Sequence, residues 1–186
     1  MPAALFAAGC SVADNADART AHQPQAHAEM LECRVSRISD GDSFVCGKAG
    51  RVRLLMIDAP ELAQGTEGRR ARKELEDLAP RGTLVRIESD IRPTDDYGRI
   101  LGYAWLPNGR MLNEEMARAG MVTALVYPPN VKHAERIRKA VREAQAGKRG
   151  LWATSFFDCT PRDFRAGRCD TSRPRNQPEK PSVQRQ

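Results

Sequence analysis

The sequence predicts an α+β fold, mainly β: a small curled barrel of five short strands with three helices. Three observations point there. Between residues 32 and 106, short runs of alternating apolar and polar residues are separated by Gly, Pro and Asp turns. One segment of helical composition interrupts them after the third run, and two more follow the fifth. The length of 186 residues lets a single domain bury roughly two thirds of its unfolded surface, so a core needs no metal or disulfide staple.

The elements follow in order. Arg34-Val-Ser-Arg-Ile-Ser alternates, Asp40-Gly41-Asp42 makes a turn, and Ser43-Phe-Val-Cys returns. After Gly47 to Gly50, the run from Arg51 to Ile57 reads as a third strand and completes a meander. Pro60 ends it, because proline lacks the N–H that a ladder needs. Glu67 to Ala79 is predicted helical, with Ala71, Leu75 and Leu78 on its apolar face. Pro80-Arg-Gly punctuates, Thr83 to Glu88 reads as a fourth strand, and Ile100 to Leu106 as a fifth before the Pro107-Asn-Gly turn. Asn113 is read as the cap of a second helix, with Met116 and Ala117 inward and Gly120 closing it. Asn130 is read as the cap of a third, whose Ile137, Val141 and Ala144 share one face before Gly147. Five strands with a helix after the third suggest a barrel of the oligonucleotide/oligosaccharide-binding (OB) type.

Around this domain, taken as residues 32–153, the composition shifts. Residues 1–10 place small residues ahead of Cys10, like the end of a secretory apolar region and a lipoprotein cleavage box. Residues 11–31 are polar and read as a disordered tether, and 171–186 as a disordered, Pro-rich basic tail. The expectation is an exported protein, either periplasmic, anchored to a membrane through lipid on Cys10, or secreted. The remaining cysteines, Cys33, Cys46, Cys159 and Cys169, are even in number, as an oxidising compartment favours. Cys159 and Cys169 close a short loop in a C-terminal extension, residues 154–170, and are the favoured pair. Cys33 and Cys46 flank a hairpin turn at unequal distances and are the less favoured pair. Unpaired thiols are the alternative. No Cys-x-x-Cys occurs, and His22, His27 and His133 are not clustered with the cysteines, so the pattern does not suggest zinc. No apolar run is long enough to span a bilayer. The formal charge of +6 leans towards anionic partners without identifying one.

Three segments are rich in chemistry: Asp40-Gly41-Asp42 on a tight turn, Arg53 through Asp58-Ala59-Pro60-Glu61 on a strand and its exit, and Asp95-Asp96-Tyr97-Gly98-Arg99 before the fifth strand. Each alone is ordinary turn or surface composition. Together, Asp42, Asp58 and Glu61 offer hard oxygen ligands of the kind Ca²⁺ prefers, without soft thiolate or imidazole partners. Arg53 and Arg99 supply planar forks that grip phosphate oxygens in pairs. Carboxylates, a cation and two guanidiniums describe a site that cleaves phosphodiesters.

In that order, Asp-Gly-Asp, then Arg-Leu-Leu-Met-Ile-Asp-Ala-Pro-Glu, then Thr-Asp-Asp-Tyr-Gly-Arg, the chain resembles the staphylococcal nuclease (thermonuclease-like) family from about Cys33 to Trp152. Gly109-Arg-Met-Leu-Asn-Glu, Tyr127-Pro-Pro-Asn with His133, and Arg149-Gly-Leu-Trp152 extend the match. The resemblance implies an OB-type barrel in which Asp42 and Asp58 bind Ca²⁺ through side chains and Ala59 through its carbonyl. It further implies that Glu61 orients or deprotonates the attacking water, Arg53 and Arg99 neutralise charge on the phosphate, and Tyr97 contacts the phosphate end. Tyr127, read from the residue itself, is either a base-stacking ring or a buried core tyrosine. The implied activity is hydrolysis of DNA and RNA, single-stranded or frayed strands favoured, with little sequence preference and 3′-phosphate products, carried out by a monomer. The staphylococcal enzyme has Thr at the position of Ala59. The loop Leu62 to Gly68 is shorter and lacks that enzyme's lysines, Asp96 stands in place of a lysine and Leu125 in place of a substrate-facing tyrosine, so substrate grip is expected to differ. The alternative is a non-catalytic nucleic-acid or protein binding module of the cell envelope, against which the joint presence of Arg53, Glu61 and Arg99 argues.

Overall fold

The structure, a computed structural model, describes residues 30–169. The lipid-box reading at Cys10, all but the end of the 11–31 tether and the 171–186 tail lie outside the described residues. The strands are β1 (Leu31–Ile38), β2 (Ser43–Cys46), β3 (Gly50–Leu54), β4 (Ile57–Asp58), β5 (Leu84–Glu88), β6 (Ile100–Trp105) and β7 (Thr123–Ala124). The helices are α1 (Thr66–Leu78), α2 (Leu112–Arg118), α3 (Ala134–Ala146) and the short α4 (Pro161–Arg165).

Five strands close a barrel in the order β1-β2-β3-β6-β5, and β5 returns to β1. The β3–β6 pair is parallel and the other barrel pairs are antiparallel. This is the predicted five-stranded α+β barrel. Closure leaves no free edge among these strands, which removes a template for aggregation. Alternate residues face inward: Val35, Phe44, Val52, Leu54, Ile87 and Tyr103 are each almost fully buried. α1 covers the barrel with Ala71 and Leu75, while α2 is sunk through Leu112, Met116 and Ala117 against Ile137 and Val141 of α3. Each large side chain buried this way contributes about 1.5–3 kcal/mol before entropy is charged against it.

Three expectations are corrected. The run Arg51 to Ile57 is not one strand. β3 ends at Leu54, Leu55 N–H bonds the Gly102 carbonyl at 3.0 Å, Met56 turns with φ 68°, and the chain continues as β4, paired with β7. Leu54 to Ile57 are all buried, so an apolar run conceals the bend.

Asn113 does not cap α2. It lies inside the helix, fully buried, where its Oδ1 accepts from Ala104 N–H (3.0 Å) and its Nδ2 donates to the carbonyls of Leu55 (2.9 Å) and Gly102 (3.3 Å). Nor does Asn130 cap α3, which begins after His133. Its side chain instead accepts from Arg92 N–H (2.7 Å) and donates to the Arg92 carbonyl (2.8 Å), pinning the loop ahead of the Asp95 turn.

Cys33 and Cys46, the less favoured pair, face each other and form a disulfide, with Cα atoms 5.6 Å apart. A register shift between Val35 and Arg37 uses up the extra residue that made the spacing unequal. Cys159 and Cys169 are joined as expected, with Cα atoms 5.5 Å apart.

Candidate active site

The bend at Leu55–Met56 and the β1–β2 turn bring two carboxylates together from positions 16 apart in the chain. Asp42 and Asp58 are 7% and 1% exposed, a burial that carboxylates bear only with partners. Asp42 Oδ2 accepts from Ala59 N–H at 2.9 Å, and its Oδ1 accepts from the Ser43 hydroxyl at 2.9 Å. Arg53, on β3 opposite Ser43, reaches between them: its Nη2 lies 3.0 Å from Asp42 Oδ2 and 3.5 Å from Asp58 Oδ1. Its Nη1 donates to the Leu54 carbonyl, which fixes the fork in place.

Two glycines allow this approach. A Cβ on Gly41 would come within 2.7 Å of the Cβ atoms of both Ala59 and Ala71, so only glycine lets the turn nest against the β4 exit and α1. A Cβ on Gly68 would overlap the Glu61 carbonyl oxygen, so this glycine seats α1 directly against the backbone of Glu61. Glu61 N–H bonds Gln64 Oε1 at 2.9 Å in the turn that precedes α1.

Charges shift accordingly. Burial and the neighbouring Asp42 carboxylate push Asp40 up to about 6. Burial likewise raises Asp58 above the usual carboxylate range, against the pull of the Arg165 and Arg53 guanidiniums.

Arg165 went unnoticed in the sequence. From α4, its Nη2 lies 2.9 Å from both oxygens of Asp58, and its Nη1 lies 2.7 Å from Glu61 Oε1. Glu61 therefore joins the cluster through a guanidinium. Among the described residues, no three His, Cys, Asp or Glu side chains gather as a metal-holding group. Asp42 and Asp58 nonetheless share one cationic nitrogen of Arg53, and this all-oxygen pair, next to the Ala59 backbone, suits a hard cation.

Arg99 stands apart from this ion-pair cluster. It precedes β6, whose Leu101 is the register partner of Arg53, and Asp95 holds it through its N–H (2.9 Å) and Nε (2.7 Å). Tyr97 is 76% exposed, with the Arg99 guanidinium 5.7 Å from its ring centre, and its carbonyl accepts from Arg51 at 3.2 Å. Tyr127 is 72% exposed, so it is not a core tyrosine and its ring is open to a ligand.

The sequence model of the family described as "Staphylococcal nuclease homologue" matches residues 51–154. The chain is 36% identical over 127 residues to the thermonuclease of Staphylococcus hyicus, covering 64% of this chain and 75% of that protein. It is 36% identical over 125 residues to the thermonuclease of Staphylococcus intermedius, covering 63% and 74%. It is 30% identical over 139 residues to endonuclease YncB of Bacillus subtilis, covering 69% and 65%.

Proposed function

The chain belongs to the family of staphylococcal nuclease homologues and is a nuclease, and from that premise we propose that it is a Ca²⁺-dependent phosphodiesterase acting on DNA and RNA with little sequence preference, leaving 3′-phosphates. The observation that carries this reading is the sharing of Arg53 Nη2 by Asp42 and Asp58. Two buried carboxylates held within reach of one cationic nitrogen support the reading of an oxygen-lined site for such an ion. Asp42 and Asp58 would hold the ion through their side chains and Ala59 through its carbonyl, with water completing a shell that Ca²⁺ accepts in many geometries. Bound there, the ion would supply Lewis-acid stabilisation of phosphoryl charge.

The chain's own groups do the rest. Glu61, 39% exposed at the rim, takes a proton from the water that attacks phosphorus as the bond to the 5′-oxygen breaks. Arg53 donates to the phosphoryl oxygens, whose charge grows in the transition state, and a donor of this kind contributes typically about 3 kcal/mol. Arg99, preset by Asp95, adds a second fork and donates a hydrogen bond to the departing oxygen. Tyr97 and Tyr127 meet the strand from outside, one at its phosphate and one by stacking on a base. Contacts to phosphate read the backbone and not the sequence, and stacking on an unpaired base suits single-stranded or frayed substrates.

Export is part of the same reading. Two disulfides among the described residues suit an oxidising compartment, and the small residues ahead of Cys10 suit a lipid anchor or a cleaved leader. End-group analysis of a digested single-stranded oligonucleotide tests the chemistry. The expected products carry 3′-phosphate and 5′-hydroxyl, and 5′-phosphate termini would overturn this bond choice.

A further inference from the structure

The C-terminal loop beyond residue 154 lies outside the span matched by the family model, yet it delivers a guanidinium to the centre of the site. The loop is built to stay there. Cys159 and Cys169 close it, and Phe156 and Phe157 are buried next to Trp152. Thr160 caps α4 by accepting from Asp163 N–H (3.1 Å), while Arg168 forks onto Asp163 Oδ1 (3.0 and 2.6 Å). Arg165, on the last turn of α4, then commits both oxygens of Asp58 and one of Glu61.

We propose that this loop is a counter-ion latch: Arg165 competes with the divalent cation for Asp58 and must withdraw from it before the cation is held. The proposal rests on the reading of Asp42 and Asp58 as cation ligands. Two reasons carry it. Asp58 is 1% exposed, and its Oδ1 already meets Arg53 and Arg165 while its Oδ2 meets Arg165, so a cation can use either oxygen only by displacing a guanidinium contact.

The two arginines also differ in freedom. Arg53 is 15% exposed and tied to the Leu54 carbonyl, while Arg165 is 41% exposed and can swing into water. Its loop keeps it close by, so it returns at high effective concentration when the cation leaves.

Calorimetric titration of the full chain with CaCl₂, without nucleic acid and at fixed ionic strength, tests this. Arg165→Gln is expected to bind Ca²⁺ at least about fivefold tighter than wild type, the scale of one partly exposed ion pair. Arg165→Lys, which keeps the charge but loses the fork, is expected in between, as is the double variant Cys159→Ser/Cys169→Ser, which loosens the tether. Equal or weaker Ca²⁺ binding by Arg165→Gln, in a background where wild type binds, overturns the latch and leaves the cation site standing. Absence of Ca²⁺ binding in both proteins overturns the cation reading itself and the latch with it.

Discussion

Asp42 and Ala59 are joined by a 2.9 Å hydrogen bond from the Ala59 amide to Asp42 Oδ2, which fastens the β1–β2 turn to the exit of β4. That contact, with Arg53 between the carboxylates, helps to hold Asp42 beside Asp58. It also gives Asp42 two separable roles, one in folding and one in charge. Asp42→Ala leaves a buried N–H without an acceptor and is expected to destabilise the protein by about 1–3 kcal/mol. Asp42→Asn keeps an oxygen for that N–H and is expected to retain most of the stability while losing cation binding. Urea unfolding without Ca²⁺, followed by CaCl₂ titration, separates the two. Equal stability loss in both variants would remove the structural role of the contact.

Asn113 ties α2 to β6 and to the bend after β3 through three buried hydrogen bonds. Asn113→Ala strands the Ala104 amide and the Leu55 carbonyl in a dry interior, while the Gly102 carbonyl keeps its bond from Leu55 N–H. The expected loss is at least about 2 kcal/mol, read from the chemical denaturation midpoint at constant m-value. Because the bend carries β4, cation affinity should fall with it.

Gly68→Ala would ordinarily favour a helix by up to about 1 kcal/mol. Here the added Cβ runs into the Glu61 carbonyl, so the sign reverses: stability is expected to drop and Glu61 to move. A tenfold or larger fall in kcat, with nucleic-acid affinity little changed, is the expected kinetic signature, since small displacements of a catalytic group are costly. A more stable and fully active variant would contradict the placement of Glu61.

Acid should unfold this protein through Glu114 and Glu88. Burial pushes Glu114 up, but Arg136 and Arg118 outweigh it and hold the group below its ordinary 4.5. Glu88 is lowered in the same way: burial opposes and Lys132, His133 and Trp105 prevail. A carboxylate with a depressed folded pKa adds stability above its unfolded value, and that stability is lost as pH falls through the folded one. Urea midpoints are therefore expected to be flat in this respect above about pH 5 and to fall below about pH 4.5. Glu114→Gln should lower the neutral plateau and flatten the acid slope.

The barrel was legible because its signals are local. Alternation over four to six residues, glycine turns and the inserted helix report on neighbours in the chain, and the structure places β1, β2, β5, β6 and α1 where those signals fall. Asp42, Arg53 and Asp58 stood out only as a set and through the family resemblance, since each of their segments alone is ordinary turn or surface composition. What failed depended on contacts across the fold. An asparagine at a helix start looks the same whether it caps the helix, as expected of Asn113, or feeds a strand and a bend on the far side of a buried helix. The disulfide between Cys33 and Cys46 required a register shift that residue counting cannot supply. Arg165 meets Asp58 and Glu61 across 107 and 104 residues, and nothing near Pro161-Arg-Asp-Phe-Arg marks it as part of the site.

The most direct measurement is the rate at which the purified chain hydrolyses single-stranded DNA in millimolar Ca²⁺, in excess chelator, and as Asp58→Asn in millimolar Ca²⁺. Hydrolysis in Ca²⁺ that stops in chelator and falls by roughly 10² or more in the variant is the predicted result, on the scale of losing one principal charge-stabilising group. Undiminished hydrolysis in chelator, or an Asp58→Asn protein as active as wild type, would contradict it.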